Sequence, residues 1–356
     1  MAEIVLNKQH PYYQDDINYV LSTKGIETLR GKRVLITGAT GLIGVHLTDV
    51  LMCLGDVKVI AVGRNKGKAR ERLGEYFEHP DFSFLEQDVL DPFPEELSAD
   101  IVIPLASNTH PLAYSRYPVE TVLINVRGAE NALSLALKSG ATVLYPSTVE
   151  VYGGSDGKES FSETDTGRLN LATSRSCYTE SKRVCEALCQ SYLSEYGVES
   201  KIVRLPRVFG PTMLESDTKA SSQFIIKCLL REDVVLKSKG EQYFSYCYVS
   251  DAVAAMLFIL LHGKTGEAYN VSSGECDIHL RDFAQICAEF NERQVQFDFP
   301  SITEARGYSI ADRAILDSSK VNALGFTTKY GIKEAIFRTM TVLGGVSSSF
   351  IYGKEL

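Results

Sequence analysis

The chain has 356 residues, 44% of them hydrophobic and 23% charged, with a net charge of −8 at pH 7. Those proportions belong to an ordinary globular protein with a sizeable core, and the acidic balance argues against a nucleic-acid or membrane-surface partner, either of which would need a basic face. The opening stretch MAEIVLNKQHPYYQDDINYV has no basic segment followed by an apolar core, and no run reaches the ~18 apolar residues of a membrane span, so a cytoplasmic location is expected.

In chain order, residues 1–30 read as a polar N-terminal extension with a short helix around Asp16–Leu21, packed on the domain or partly mobile. The pattern then changes. RVLITGATGLIGVHLTDVLMCLG runs from a strand (Val34, Leu35, Ile36) through a glycine turn into a helix whose Leu42, Ile43, Leu47, Val50, Leu51 and Leu54 recur at helical spacing. VKVIAVG, FSFLEQD, DIVIPLAS, TVLYPST and VESKIVRL follow as short apolar strands, mostly separated by amphipathic helices. That alternation predicts an α/β fold, a doubly wound parallel sheet of the Rossmann type over 31–205. From 206 to 356 the order becomes mixed. The loop GPTMLESDTKASS, the helix QFIIKCLLRE, the strands VVLKS and SYCYVS, the helix DAVAAMLFILL and a helical end predict a smaller C-terminal α/β substrate lobe, with about 244–272 returning to the main domain.

Gly38, Gly41 and Gly44 follow the first strand and open a helix. Glycines there let backbone approach a pyrophosphate and leave it facing the unpaired N–H groups of the helix, which points to a dinucleotide. An acidic residue closing the second strand would contact the ribose 2′-hydroxyl, but this chain has Gly63-Arg64-Asn65-Lys66. The cations lean towards NADP while leaving NAD open. Farther on, CYTESKRVCEALC sets Tyr178 and Lys182 four residues apart, on one helical face. A phenol near pKa 10 is a poor base at neutral pH; an ammonium and a cationic nicotinamide nearby favour its anion.

The glycine turn, the strand ending in Ser147 and Thr148, and the Tyr178–Lys182 pair about thirty residues later resemble the extended short-chain dehydrogenase/reductases. The branch resembled is the NAD-dependent epimerase/dehydratase family of nucleotide-sugar enzymes. INVRGAENAL, RVFGPTM, YCYVSDAV and DSSKVNALGF match further elements of that branch. The resemblance implies a tightly bound NAD or NADP, a nucleoside-diphosphate sugar substrate and a homodimer through the helices bearing Asn125 and Tyr178, whose apolar Leu188 and Tyr192 suit such a contact. It assigns Thr148 to the sugar O4, Tyr178 to the base and Lys182 to the ribose and the tyrosine. Thr40, Leu42, Ile43, Asp88, Val89, Leu105, Ala106, Ser107 and Asn125 join the glycines and Arg64 around the cofactor, and Ser107 also meets the substrate.

The stretch STVEVYG then asks what Glu150 does. In 4,6-dehydratases the pattern here is Thr-Asp-Glu, in UDP-glucuronate decarboxylases Thr-Ser-Glu, and in the UDP-galactose type of 4-epimerase no glutamate stands here. Thr148-Val149-Glu150 keeps a second acid/base but puts a valine, with no proton to give, against the substrate. Phe244 occupies the position of an arginine that usually meets the nucleotide or the decarboxylated carboxylate, and Arg207 that of a substrate-binding asparagine, which suggests that Arg207 supplies the lost charge near the diphosphate. The flanking sequence is most like the decarboxylases. A 4,6-dehydratase or epimerase, an NADP-dependent reductase or dehydrogenase, and a non-catalytic nucleotide-binding regulator are the alternatives. The scattered cysteines are read as reduced thiols, and His46 and His110 as ordinary polar contacts, with no metal site.

Overall fold

The computed structural model of the protein describes residues 4–298 and 311–344. Six strands, β1 (Arg33–Thr37), β2 (Lys58–Gly63), β3 (Phe82–Glu86), β4 (Ile101–Pro104), β5 (Thr142–Thr148) and β6 (Ser200–Leu205), join Ala268–Asn270 in one parallel sheet. Its order is β3-β2-β1-β4-β5-β6 with Ala268–Asn270 at the far edge. The order reverses between β1 and β4, and crevices at such switch points are where ligands of open α/β sheets bind.

Both faces of the sheet are buried, which is why its strands read as continuous apolar runs. Val34 and Ile36 of β1 pack on one face with Val45, Leu47, Val50 and Leu51 of the helix Leu42–Leu54, and with Val253 and Leu257 of the helix Val249–His262. Leu35, between them, packs on the other face with Ala129, Leu133, Ala136, Cys185 and Cys189. The helices, in chain order, are α1 (Pro11–Leu21), α2 (Leu42–Leu54), α3 (Lys66–Leu73), α4 (Pro111–Arg116), α5 (Pro118–Ser139) and α6 (Ser176–Tyr196). The pair α5 and α6 covers the second face.

The N-terminal helix begins at Pro11, not near Asp16 as the sequence led us to expect. Pro11 has the preset backbone angle of a first helical turn, and the His10 ring caps it by accepting from the Tyr12 N–H at 3.2 Å. This helix is part of the core. Asp16 is fully buried against Arg338 at 2.7 Å and accepts from Tyr248 Oη at 2.5 Å. Tyr13 donates to the buried Asp49, Tyr19 to Asp251, and Lys8 Nζ lies 2.8 Å from Asp49.

The second, four-stranded sheet centres on Tyr243–Tyr248, flanked by Arg207–Phe209, Asp277–His279 and Arg313–Ala314. Of the stretch 244–272, the strand through Tyr248 therefore lies in the small sheet, whereas Val249–His262 and Ala268–Asn270 pack on and extend the large one. Val234–Leu236 pairs with Val295–Phe297, and the chain's helical end comprises Ser319–Ala323 and Ile332–Val342. Parts of the expected extension and lobe, 1–3, 299–310 and 345–356, lie outside the described residues. Phe244, Tyr246 and Tyr248 are buried as strand packing. All eight cysteines are free thiols, and among the described residues no three metal-ligating side chains converge and no helix is long and apolar enough to cross a membrane. Leu188 and Tyr192 pack inward on the second core, so the apolar residues that α5 and α6 leave exposed are Val119, Leu137, Val184 and Tyr196.

Candidate active site

The glycine turn sits where β1 ends. Gly38 has a φ of +64°, and a β-carbon there would lie 2.8 Å from the Ala106 nitrogen; one at Gly44 would meet the Gly38 carbonyl at 2.5 Å. Gly41 caps α2 with no side-chain acceptor, so the first N–H groups of that helix face open space. Gly38→Ala is expected to cut bound dinucleotide at least about tenfold, since the strained φ and the clash both act on the cradle. Assay of the nicotinamide released on denaturation, with wild type as reference, checks this.

A cleft of about 490 Å³ runs from this turn across the ends of β4 and β5. It brings together Gly38, Thr40, Gly41, Leu42, Ile43, Gly44, Arg64, Asp88, Val89, Leu105, Ala106, Ser107, Thr148, Val149, Glu150, Tyr178, Lys182 and Arg207. Asn125 and Phe244 are not on its wall. Asn125 is buried on α5, donates to Ser181 Oγ at 2.8 Å, and faces a void of about 10 Å³ behind Lys182. Phe244 lies beneath Arg207, whose guanidinium carbon is 3.4 Å from its ring centre. His110 caps α4 and contacts Thr218, and His46 is buried beside Tyr13, where burial pulls its pKa down to about 3.

Arg64 is exposed but engaged. Its Nη1 lies 3.3 Å from Glu120 and 3.7 Å from Asp88. Two carboxylates thus surround the cation on which the lean towards NADP rested, and both would repel a 2′-phosphate.

At the strand end, Thr148 Oγ1 accepts from the Glu150 N–H at 3.3 Å, starting the tight turn Val149–Tyr152. The Thr148 hydroxyl stands near Tyr178, where it favours the tyrosine's anion. Tyr178 is 8% exposed, and burial followed by the Glu150 carboxylate holds its hydroxyl above the ordinary tyrosine range. Burial lowers the pKa of Lys182, whose ammonium donates to the Pro146 carbonyl at 2.9 Å and lies 4.9 Å from the Tyr145 ring centre. The lysine is thus anchored to the strand, and the tyrosine stands beside Thr148. Behind them Ser147 donates to Glu186 at 2.5 Å, and Glu186 pairs with Arg204 at 2.7 Å, tying β5 and β6 to α6.

Arg175, at the start of α6, was not singled out in the sequence. Its Nη2 lies 3.0 Å from each oxygen of Glu150, and Thr179 Oγ1 adds a longer contact at 3.4 Å. The guanidinium stands over Tyr114 at 4.7 Å, and Tyr114 stacks on Tyr178 at 4.9 Å. The available signal was the arginine three residues before the tyrosine of CYTESK, one turn away.

Comparison with known proteins settles the lineage. The profile of the "NAD dependent epimerase/dehydratase family" matches residues 34–272, more than half of the chain. The chain belongs to that NAD-dependent enzyme family. Among family members, UDP-glucuronic acid decarboxylase 6 of Arabidopsis thaliana is 35% identical over 243 residues, 68% of this chain and 70% of that one. UDP-glucuronic acid decarboxylase 1 of Xenopus tropicalis is 36% identical over 64% of this chain, which spans only 53% of the length of that relative. An epimerase from Methanothermobacter thermautotrophicus superposes with a TM-score of 0.79 at 22% identity, covering 94% of this chain and 96% of its own. A dTDP-glucose 4,6-dehydratase from Streptomyces venezuelae, solved with NAD bound, gives 0.76 at 22%, covering 87% and 96%. These last two likenesses speak for the fold. The glycine cradle, too tight for a β-carbon at Gly38 or Gly44, and the start of α2, which has no side-chain cap, fit the dinucleotide of the family.

Proposed function

We propose that this chain removes the carboxylate of a nucleoside-diphosphate hexuronate, of the UDP-glucuronate type, through a transient 4-ketone, using NAD. The relatives named above support the substrate class. The observation that carries the reaction is the strand end itself. Val149 has no proton to give, and Glu150 is committed to Arg175 and Thr179. Expelling a 6-hydroxyl as water needs a nearby acid, which neither residue supplies; losing carbon dioxide does not.

Thr148 and Tyr178 hold the sugar O4, and Tyr178 takes its proton. NAD would accept the C4 hydride and return it later. With C4 a ketone, the C5–C6 electron pair flows into the carbonyl as carbon dioxide leaves, the resulting enolate takes a proton at C5 from solvent, and Tyr178 gives its proton back to O4 when the ketone is reduced. Lys182, donating to the Pro146 carbonyl one helical turn after Tyr178, would hold the ribose of the cofactor. The Glu120 and Asp88 carboxylates around Arg64 support NAD over NADP. A homodimer across the exposed Val119, Leu137, Val184 and Tyr196 is part of the same proposal.

Incubation with UDP-glucuronate and mass spectrometry of the nucleotide product tests it. The expected product is lighter by one carbon dioxide, with no accumulation of reduced cofactor. A product lighter by one water, or of unchanged mass, or net cofactor reduction would each refute it.

A further inference from the structure

We infer that Arg207, lying flat on Phe244, is the receptor for the substrate's carboxylate and sets the choice between an acidic and a neutral sugar. The inference rests on the hexuronate reading above.

Arg207 opens the strand Arg207–Phe209, which pairs with Tyr243–Tyr248 in the register Arg207 to Tyr246. Its guanidinium carbon is 3.4 Å from the Phe244 ring centre, so the aromatic face fixes the plane of the fork. The side chain lines the cleft, yet among the described residues it makes no hydrogen bond and no ion pair, and its Nη1 is buried without an acceptor. A half-buried cation with idle donors is costly, and an anion from the ligand would relieve that cost.

Position identifies which anion. Thr148 and Tyr178 hold the oxygen on C4, and the carboxylate branches from the adjacent carbon, so only side chains around Thr148 reach it. Arg207 lines the cleft together with Thr148, Val149 and Glu150, with Arg175 close by, while the other cation beside Tyr178, Lys182, donates to the Pro146 carbonyl. Arg175 already holds Glu150 by both oxygens. The Glu150–Arg175 pair is neutral as a unit, which leaves Arg207 as a single positive charge with a planar fork, the complement of one carboxylate. Phe244, which looks like a loss in the sequence, becomes the platform of the replacement.

Calorimetric titration of NAD-loaded Tyr178→Phe protein, in which turnover is blocked, tests this with UDP, UDP-glucose and UDP-glucuronate. UDP-glucuronate is expected to bind at least about tenfold more tightly than UDP-glucose, as a charge-assisted hydrogen bond allows. Adding Arg207→Gln is expected to bring the two within about threefold while UDP and UDP-glucose keep their affinities; Arg207→Lys, with the charge but not the fork, should fall between. Equal binding of the two sugars before Arg207 is changed overturns the inference without any second variant. So does an Arg207→Gln loss shared by all three ligands, which would assign the guanidinium to the diphosphate. Both outcomes leave a nucleotide-sugar site in place, whereas absence of binding by all three ligands would remove the proposed function as well.

Discussion

Replacing Tyr178 with phenylalanine is expected to lower kcat by about 10²–10⁴-fold, the range supplied by a positioned acid–base group. The ring can stay where it is, stacked on Tyr114 and enclosed by the cleft, because only the hydroxyl is lost. Bound NAD and melting temperature should therefore remain close to wild type. Burial and then the Glu150 carboxylate raise the pKa of that hydroxyl, and Thr148 beside it acts the other way. Its proton-accepting state must be favoured by what binds there, the cationic cofactor above all. Steady-state rates with UDP-glucuronate decide the matter: a kcat within a few-fold of wild type would remove the tyrosine from the chemistry, whatever its position.

The largest expected effect on stability lies far from the cleft. Asp16→Ala should destabilise the fold by about 3–5 kcal/mol, the usual cost of stranding one member of a buried ion pair. Arg338 places Nε and Nη2 at 3.0 and 2.7 Å from one oxygen of Asp16, and Tyr248 donates to the other. Solvent scarcely reaches the pair, and burial raises the Asp16 pKa even with Arg338 beside it. The double change Asp16→Leu with Arg338→Met should cost less, because no unpaired charge is left behind. Urea denaturation of the two variants checks both statements, and a loss below about 1 kcal/mol for Asp16→Ala would show that the pair is not buried as described.

That pair also marks the boundary of what the sequence conveys. The parallel sheet was legible because both of its faces are apolar and the β1–α2 turn carries its glycines in order. Tyr178 and Lys182 were legible because four residues is one helical turn. By contrast, Asp16 and Arg338 are 322 positions apart, and nothing local in either segment announces the other. The polar look of residues 1–30 suggested an extension packed on the domain or partly mobile; its buried Asp16 and Tyr13 and half-buried Tyr19 are satisfied by partners in α2 and the C-terminal half that only the fold brings near.

In the site, the residue types were readable and their partnerships were not. Glu150 stood out in the sequence, but its commitment to Arg175 depends on how α6 begins beside the β5 turn. The substitution of Phe244 for a usual arginine looked like a missing contact. In three dimensions it is a surface on which Arg207, from a different strand, lies flat. Arg64 suggested a phosphate receptor until Asp88 and Glu120 appeared on either side of it.

The central claim is that the sugar is oxidised at C4, altered while it is a ketone, and reduced again at the same carbon within one cleft. UDP-glucuronate carrying deuterium at C4, converted in ordinary water and examined by NMR, tests it most directly. The account predicts a product that retains the label at C4, with C5 protonated from solvent. Loss of the label from C4, or its recovery in free reduced cofactor, would contradict it.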